Sequence, residues 1–212
     1  AQENDGWTPL HFASFHQHYD IVDLLLEHNA DPSIINIHSA GPASFLRNKN
    51  VAYHEKLIHA GMLMSMNRNN AETPSELLNL VLQGGDPEFK NVVGWSAIHF
   101  AANHGESNIV KELLNNGANI NSIEHDGWTA LMFAVSMGYT TVVEVILNHG
   151  AEWEFTSARR PEGSERVNIE LTNHNGLKAL DIAFDREDRG DIINMLSHYG
   201  KPMHFKLGKA KK

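Results

Sequence analysis

Gly94-Trp95-Ser96-Ala97-Ile98-His99-Phe100-Ala101-Ala102 returns 33 residues later as Gly127-Trp128-Thr129-Ala130-Leu131-Met132-Phe133-Ala134-Val135. The pattern also stands near the start, as Gly6-Trp7-Thr8-Pro9-Leu10-His11-Phe12-Ala13-Ser14. Self-similarity at a fixed spacing marks an array of short units, each too small to bury its own apolar face. Such an array exists to present a surface and needs no active site. The functional question becomes which face meets which partner.

Around the echo, the spacing predicts pairs of helices. In the unit opening at Gly94, Ala101 and Ala102 allow close helix packing, and Gly105 supplies the positive φ of a tight helix-helix turn. A second helix follows, with Ile109, Val110, Leu113 and Leu114 at helical spacing, closed by Asn116-Gly117-Ala118. Val142, Val143, Ile146, Leu147 and then His149-Gly150-Ala151 repeat the plan.

These residues resemble the ankyrin repeat family. Its Thr-Pro-Leu-His-x-Ala signature stands at Thr8-Pro9-Leu10-His11-Phe12-Ala13, and its Leu-Leu-x-x-Gly-Ala end at Leu113-Leu114-Asn115-Asn116-Gly117-Ala118. A variant of that end is Leu25-Leu26-Glu27-His28-Asn29-Ala30. The likeness covers 4–37 and 91–151, and extends to 173–200, where Gly176 to Ala183 and Ile192 to Leu196 fit a C-terminal capping unit. The resemblance implies an all-α solenoid of helix-turn-helix units joined by short β-hairpins, and a role in protein binding. In it, His11 and His99 bridge loop and helix backbone. Asn121 matches the asparagine that a hydroxylase modifies in some members.

Two stretches break the beat. Between 38 and 90, Gly41 to Leu46 begins a unit and Leu57 to Met62 ends it, while Thr73-Pro74-Ser75-Glu76 starts a further helix and Gly84-Gly85 ends that one. The expected units are thus 3–37, a degenerate 38–68, a truncated 69–90, 91–123, 124–172 and 173–200, followed by a basic tail over 201–212. The second break is a surplus of 16 residues between Gly127 and Gly176. Trp153 and Phe155 alternate with polar residues, as do Val167, Ile169 and Leu171, on either side of Pro161-Glu162-Gly163-Ser164. That pattern predicts an elongated β-hairpin over 152–172, with a loop as the plainer alternative.

Composition narrows the function classes. Net charge is −9, but the last twelve residues hold five lysines and no acid, leaving 12 basic against 26 acidic side chains elsewhere. So acidic a body repels phosphate backbones and argues against nucleic acid as partner. No apolar run approaches the roughly 18 residues a membrane helix needs, and the polar first residues do not read as a signal peptide. These features set the expected location as the cytoplasm, or a host cell's cytosol if the chain is a secreted effector. With no cysteine, disulfides, cysteine zinc sites and thiol nucleophiles are excluded. Fourteen histidines raise a metal hypothesis, yet most stand at repeat positions, and His16-Gln17-His18 has only Asp20 beside it. Neither a phosphate-binding loop nor a nucleophile elbow is present. The expectation is no cofactor, no metal and no catalysis.

What remains is a surface. The resemblance turns the residue after each glycine toward a concave groove. That groove would comprise Trp7, Ser14 and Phe15; Val92, Val93, Trp95, Asn103 and His104; and His125, Asp126, Trp128, Ser136 and Met137. Aromatic residues ringed by polar ones have the composition of an interaction hot spot, although these tryptophans could equally pack on neighbouring hairpins. Arg159, Arg160 and Arg166 near the insertion's tip form a rival surface suited to carboxylate or phosphate. The expected function is a monomeric adaptor that presents a rigid concave face to a basic or mixed-charge protein. The alternative is a targeting or regulatory segment of a larger enzyme or secreted effector.

Overall fold

A computed structural model describes residues 4–149 and 166–199. Helices α1 (Pro9–Phe15) and α2 (Tyr19–Glu27) form the first pair, followed by a short 3-10 turn, Pro42–Phe45. Then come α3 (Val51–Arg68), α4 (Thr73–Leu82), α5 (Ala97–Asn103), α6 (Ser107–Asn115), α7 (Ala130–Met137), α8 (Thr140–Asn148), α9 (Ala179–Phe184) and α10 (Gly190–His198). Helices α5, α7 and α9 pack in a row, α6, α8 and α10 in a second row, and the rows close on each other. Among the described residues there is no strand, only the isolated bridges Ile123–Thr129 and Thr172–Lys178. This is an all-α solenoid.

The echo works because each first helix is started the same way. Ser96 and its counterpart Thr8 cap α5 and α1, and their backbone N–H groups donate to Nδ1 of His99 and His11, both at 3.1 Å. The opposite ring nitrogen donates to the carbonyl of a later hairpin, Ser122 for His99 at 3.0 Å and Ala40 for His11 at 3.1 Å. One imidazole therefore ties a helix start to the next turn. In α7, Met132 fills the core position instead, and Thr129 Oγ1 alone caps the helix.

The helix α3 departs from the beat. Shifting α2 forward by one period of 33 gives 52–60, and shifting α5 back gives 64–70. Helix α3 runs for 18 residues through the first range and into the second, as far as Arg68, without a hairpin between them. It does not stop at Gly61, contrary to the expected end of a unit there. Gly61 is pressed against Leu80 of α4, where a Cβ would come within 3.0 Å of Leu80 Cδ2, so the glycine serves close packing rather than a turn. Left-handed Asn69 finally ends the helix.

The insertion also reads differently where it can be followed. Residues 150–165, including the expected outgoing arm, the Pro161–Ser164 turn, Arg159 and Arg160, lie outside the described residues. The return, 166–171, forms no strand. Val167 is buried, and Ile169 and Leu171 pack half-buried against the core. The alternation there comes from docking every second side chain onto the array. Asn121 holds this return in place: its Nδ2 donates to the Arg166 carbonyl at 2.9 Å and its Oδ1 accepts from Asn168 N–H at 2.7 Å.

Candidate functional site

The groove is built on a recurring turn. In the 91–95 hairpin, Asn91 Oδ1 accepts from Val93 and Trp95 N–H, and Asn91 N–H closes on the Trp95 carbonyl. Glu124 does the same for Asp126 and Trp128, and Asn173 for Asn175 and Leu177. Glu124 is a buried carboxylate committed to this task, and the sequence alone gave no sign of it. The hairpins are also joined to one another: His125 N–H donates to Val93 O at 3.2 Å, and His174 N–H to Asp126 O at 2.9 Å. At Gly94, φ is +84° and a Cβ would lie 2.8 Å from His125 N, so only glycine allows this stacking.

On this frame the expected residues divide. Val92 and Val93 stand out at 85% and 49% exposure, Met137 at 48%, and His125 and Asp126 are exposed beside them. Asn103, His104 and Ser136 are half-buried. His104 Nδ1 donates back to Phe100 O at 2.9 Å, and the Ser136 carbonyl accepts from Arg189, so both spend polar groups on helix ends. Trp95 and Trp128 are half-buried and share one neighbour, Phe133, with ring centroids 4.5 and 5.2 Å away; Trp95 also meets Phe100 at 5.0 Å. The tryptophans therefore pack on the core and show one face outward.

Trp7 lies in a separate aromatic cluster. It stacks on Phe45 at 5.1 Å and meets Phe12 and Phe15, while Lys49 Nζ sits 5.6 Å over the exposed Phe15 ring. Ser14, its neighbour on α1, is buried. Of the three expected insertion arginines, only Arg166 is described; it is exposed, with its carbonyl on Asn121.

Electrostatics add little chemistry here. Burial lowers the His99 pKa to about 4 and also lowers that of His11, which fixes both as neutral structural rings. Among the described residues, no three histidine or acidic side chains converge to hold a metal ion, and no helix is long and apolar enough to cross a membrane.

Stacked helix pairs with a hairpin ladder and an apolar exposed rim define a repeat scaffold. The family comparisons agree. Models described as "Ankyrin repeats (3 copies)" and "Ankyrin repeat" match residues 62–157 and 5–37, which together exceed half of the chain. The chain belongs to the ankyrin repeat family. It is similar to a curated ankyrin repeat protein of Rickettsia bellii, at 27% identity over 123 residues. That match covers 58% of this chain but only 31% of the relative, so the chain spans about a third of the relative's length. Ankyrin repeats generally mediate protein–protein interaction and are typically not enzymatic.

Proposed function

We propose that this chain is a protein-binding scaffold whose contact surface is the hairpin rim and groove, centred on Val92, Val93 and Met137, with Trp95 and Trp128 behind them. The observation that carries this reading is that Val92, at 85% the most exposed large apolar side chain among the described residues, stands with Val93 on a turn held by Asn91 hydrogen bonds. A rigid apolar prominence binds with little ordering entropy. The net negative charge favours a basic or mixed-charge protein over nucleic acid and speeds its association. Trp7 and Phe15 extend the surface toward the N-terminal pair, and the 152–172 insertion supplies a second contact or a steric gate. The array divides into six units, with 38–68 degenerate and 69–90 truncated, and acts as a cytoplasmic monomer.

Affinity capture with mass spectrometry tests this, comparing wild type with Val93→Asp/Met137→Asp. Both side chains are exposed, so the melting temperature should change by no more than a few degrees. Captured partners should bind at least about tenfold more weakly, near 1.4 kcal/mol. Equal capture by both proteins rules the rim out as the contact surface. The alternative, a regulatory segment of a larger protein, draws on the greater length of the relative, and the full reading frame discriminates it.

A further inference from the structure

The long helix α3 leaves a cleft that lies apart from the groove. Where α3 meets the end of α4, Gly84-Gly85 stand one period before Gly117-Ala118, and the chain then turns through Asp86 to Phe89. Between these segments is an opening of about 190 Å³. That volume is below the roughly 300 Å³ at which small-molecule sites begin, and suits a single side chain.

Apart from the His59 ring, which carries an N–H donor, its polar side chains present acceptors. Ile58 and Met62 form an apolar floor, and the rings of His59 and Phe89, 4.8 Å apart, make one wall. Every other side-chain group is an acceptor or an anion. His54 Nδ1 lies 2.9 Å from the Ala43 carbonyl, so Nδ1 must donate, and Nε2 of a neutral ring is left as an acceptor. That Nε2 is only 3.4 Å from where a Gly84 Cβ would sit, so the absence of a side chain there keeps it uncovered. Glu55 and Asp86 add exposed carboxylates, and one Asp86 oxygen holds the Glu88 amide in the turn. The shape is itself enforced: a Cβ on Gly85 would come within 2.9 Å of Ile58 Cγ2.

Among the described residues, the neighbouring cations are engaged elsewhere. Lys56, on α3 next to Glu55, pairs with Asp23 at 2.7 Å, and Lys90 Nζ donates to the Ile123 carbonyl at 2.8 Å. An apolar floor for a methylene stem, an aromatic wall for a flat cation and three separate acceptors match one protein side chain in particular. A guanidinium carries five donors in a planar fork and stacks on rings, whereas an ammonium does neither. The geometry points to this cleft as a docking site for an arginine side chain of a partner protein. The site stands independently of the groove, because the cleft lies on the α3–α4 junction and its probe is not the partner itself.

The test is a titration of the full chain with N-acetyl-arginine N-methylamide, followed by amide chemical shifts. Localised, saturable shifts at Gly84, Gly85 and Phe89 are expected, with a Kd in the low millimolar range, about 1–10 mM. The citrulline analogue, of equal shape but uncharged, and the lysine analogue should each bind at least fivefold more weakly. The double variant Glu55→Gln/Asp86→Asn retains the Asp86 turn acceptor and should raise the Kd at least fivefold with no change in melting temperature. Shifts scattered over the acidic surface, equal binding of citrulline or lysine, or an unchanged Kd in the double variant would each overturn the assignment.

Discussion

At the scale of single residues, the two histidines of the repeat signature show how a polar side chain becomes part of a core. His99 accepts from Ser96 N–H at Nδ1 and donates from Nε2 to Ser122, so only the neutral ring satisfies both bonds. Burial adds to this and lowers its pKa to about 4 from 6.5. The unfolded chain takes up a proton near pH 6.5 while the folded one does not until about pH 4. Stability from this group is therefore present in full above pH 6.5 and is lost as pH falls toward 4. The shift corresponds to about 3 kcal/mol across that window. Urea unfolding of wild type and His99→Gln at intervals from pH 7.5 to 4.5 checks this. The variant should be less stable at pH 7.5 and show the shallower loss with acid, and parallel curves would refute the linkage. The tryptophans follow from the same packing. Trp95 touches Phe100 and Phe133, whereas Trp128 touches Phe133. Trp95→Ala should therefore lower stability by about 2–3 kcal/mol and Trp128→Ala by less, as read from urea midpoints.

At the scale of elements, helix ends decide what the periodic pattern could not. Arg189, buried at the start of α10, reaches back to α7: its Nε and Nη2 each donate at 3.1 Å, to the Val135 and Ser136 carbonyls, and its Nη1 pairs with Asp188. It thereby satisfies carbonyls at the negative end of the α7 dipole. A Cβ on Gly138 would come within 2.5 Å of its Cζ, so the two positions are matched. Arg189→Met should lower stability by about 2 kcal/mol, chiefly through the Ser136 carbonyl, since Val135 keeps the Gly138 N–H at 3.2 Å, and Gly138→Ala should do similar damage; urea denaturation reads both. None of this was legible in the sequence, where Arg189 looks like one charge in a polar turn. The helix pairs of the echo were legible, because their caps, small residues and turn glycines recur at fixed offsets. The α3 helix was not: a missing hairpin shows in sequence only as a deficit, and Gly61 reads as a stop until Leu80 is seen against it. Likewise, Val167, Ile169 and Leu171 alternate as a strand would, and only their contacts show that they dock on the array.

At the scale of the whole molecule, the fold class followed from the 33-residue spacing, whereas the surface was only half visible. Exposure of Val92, Val93 and Met137 depends on which side of each turn faces a neighbour, and the cleft beside His54 depends on the path of α3. Stability should be distributed as unevenly as burial. In a linear array each pair leans on its neighbours, so a pair with one neighbour loses part of its burial. The α1–α2 pair is more open than the α5–α6 pair. Phe12 is 40% exposed where its counterpart Phe100 is 2%, and Ile21 is 48% exposed where Ile109 is 9%. Leu24 is exposed as well, at 54%. With roughly 25 cal/mol for each Å² of apolar surface left in water, such losses lower the local opening free energy of α1 and α2. Helices α5 to α8, flanked on both sides, keep Ala97, Ile98, Val110, Leu113, Val142 and Ile146 fully covered. Native-state hydrogen exchange should therefore find α2 amides opening at least about tenfold more readily than those of α6, the equivalent helix two pairs on. Phe12→Leu should widen the difference little, because that ring is already open to water, while Phe100→Leu should lower protection throughout α5 to α8. Uniform exchange from α2 to α8 would mean that the array unfolds as one cooperative block and that its end face is closed in solution.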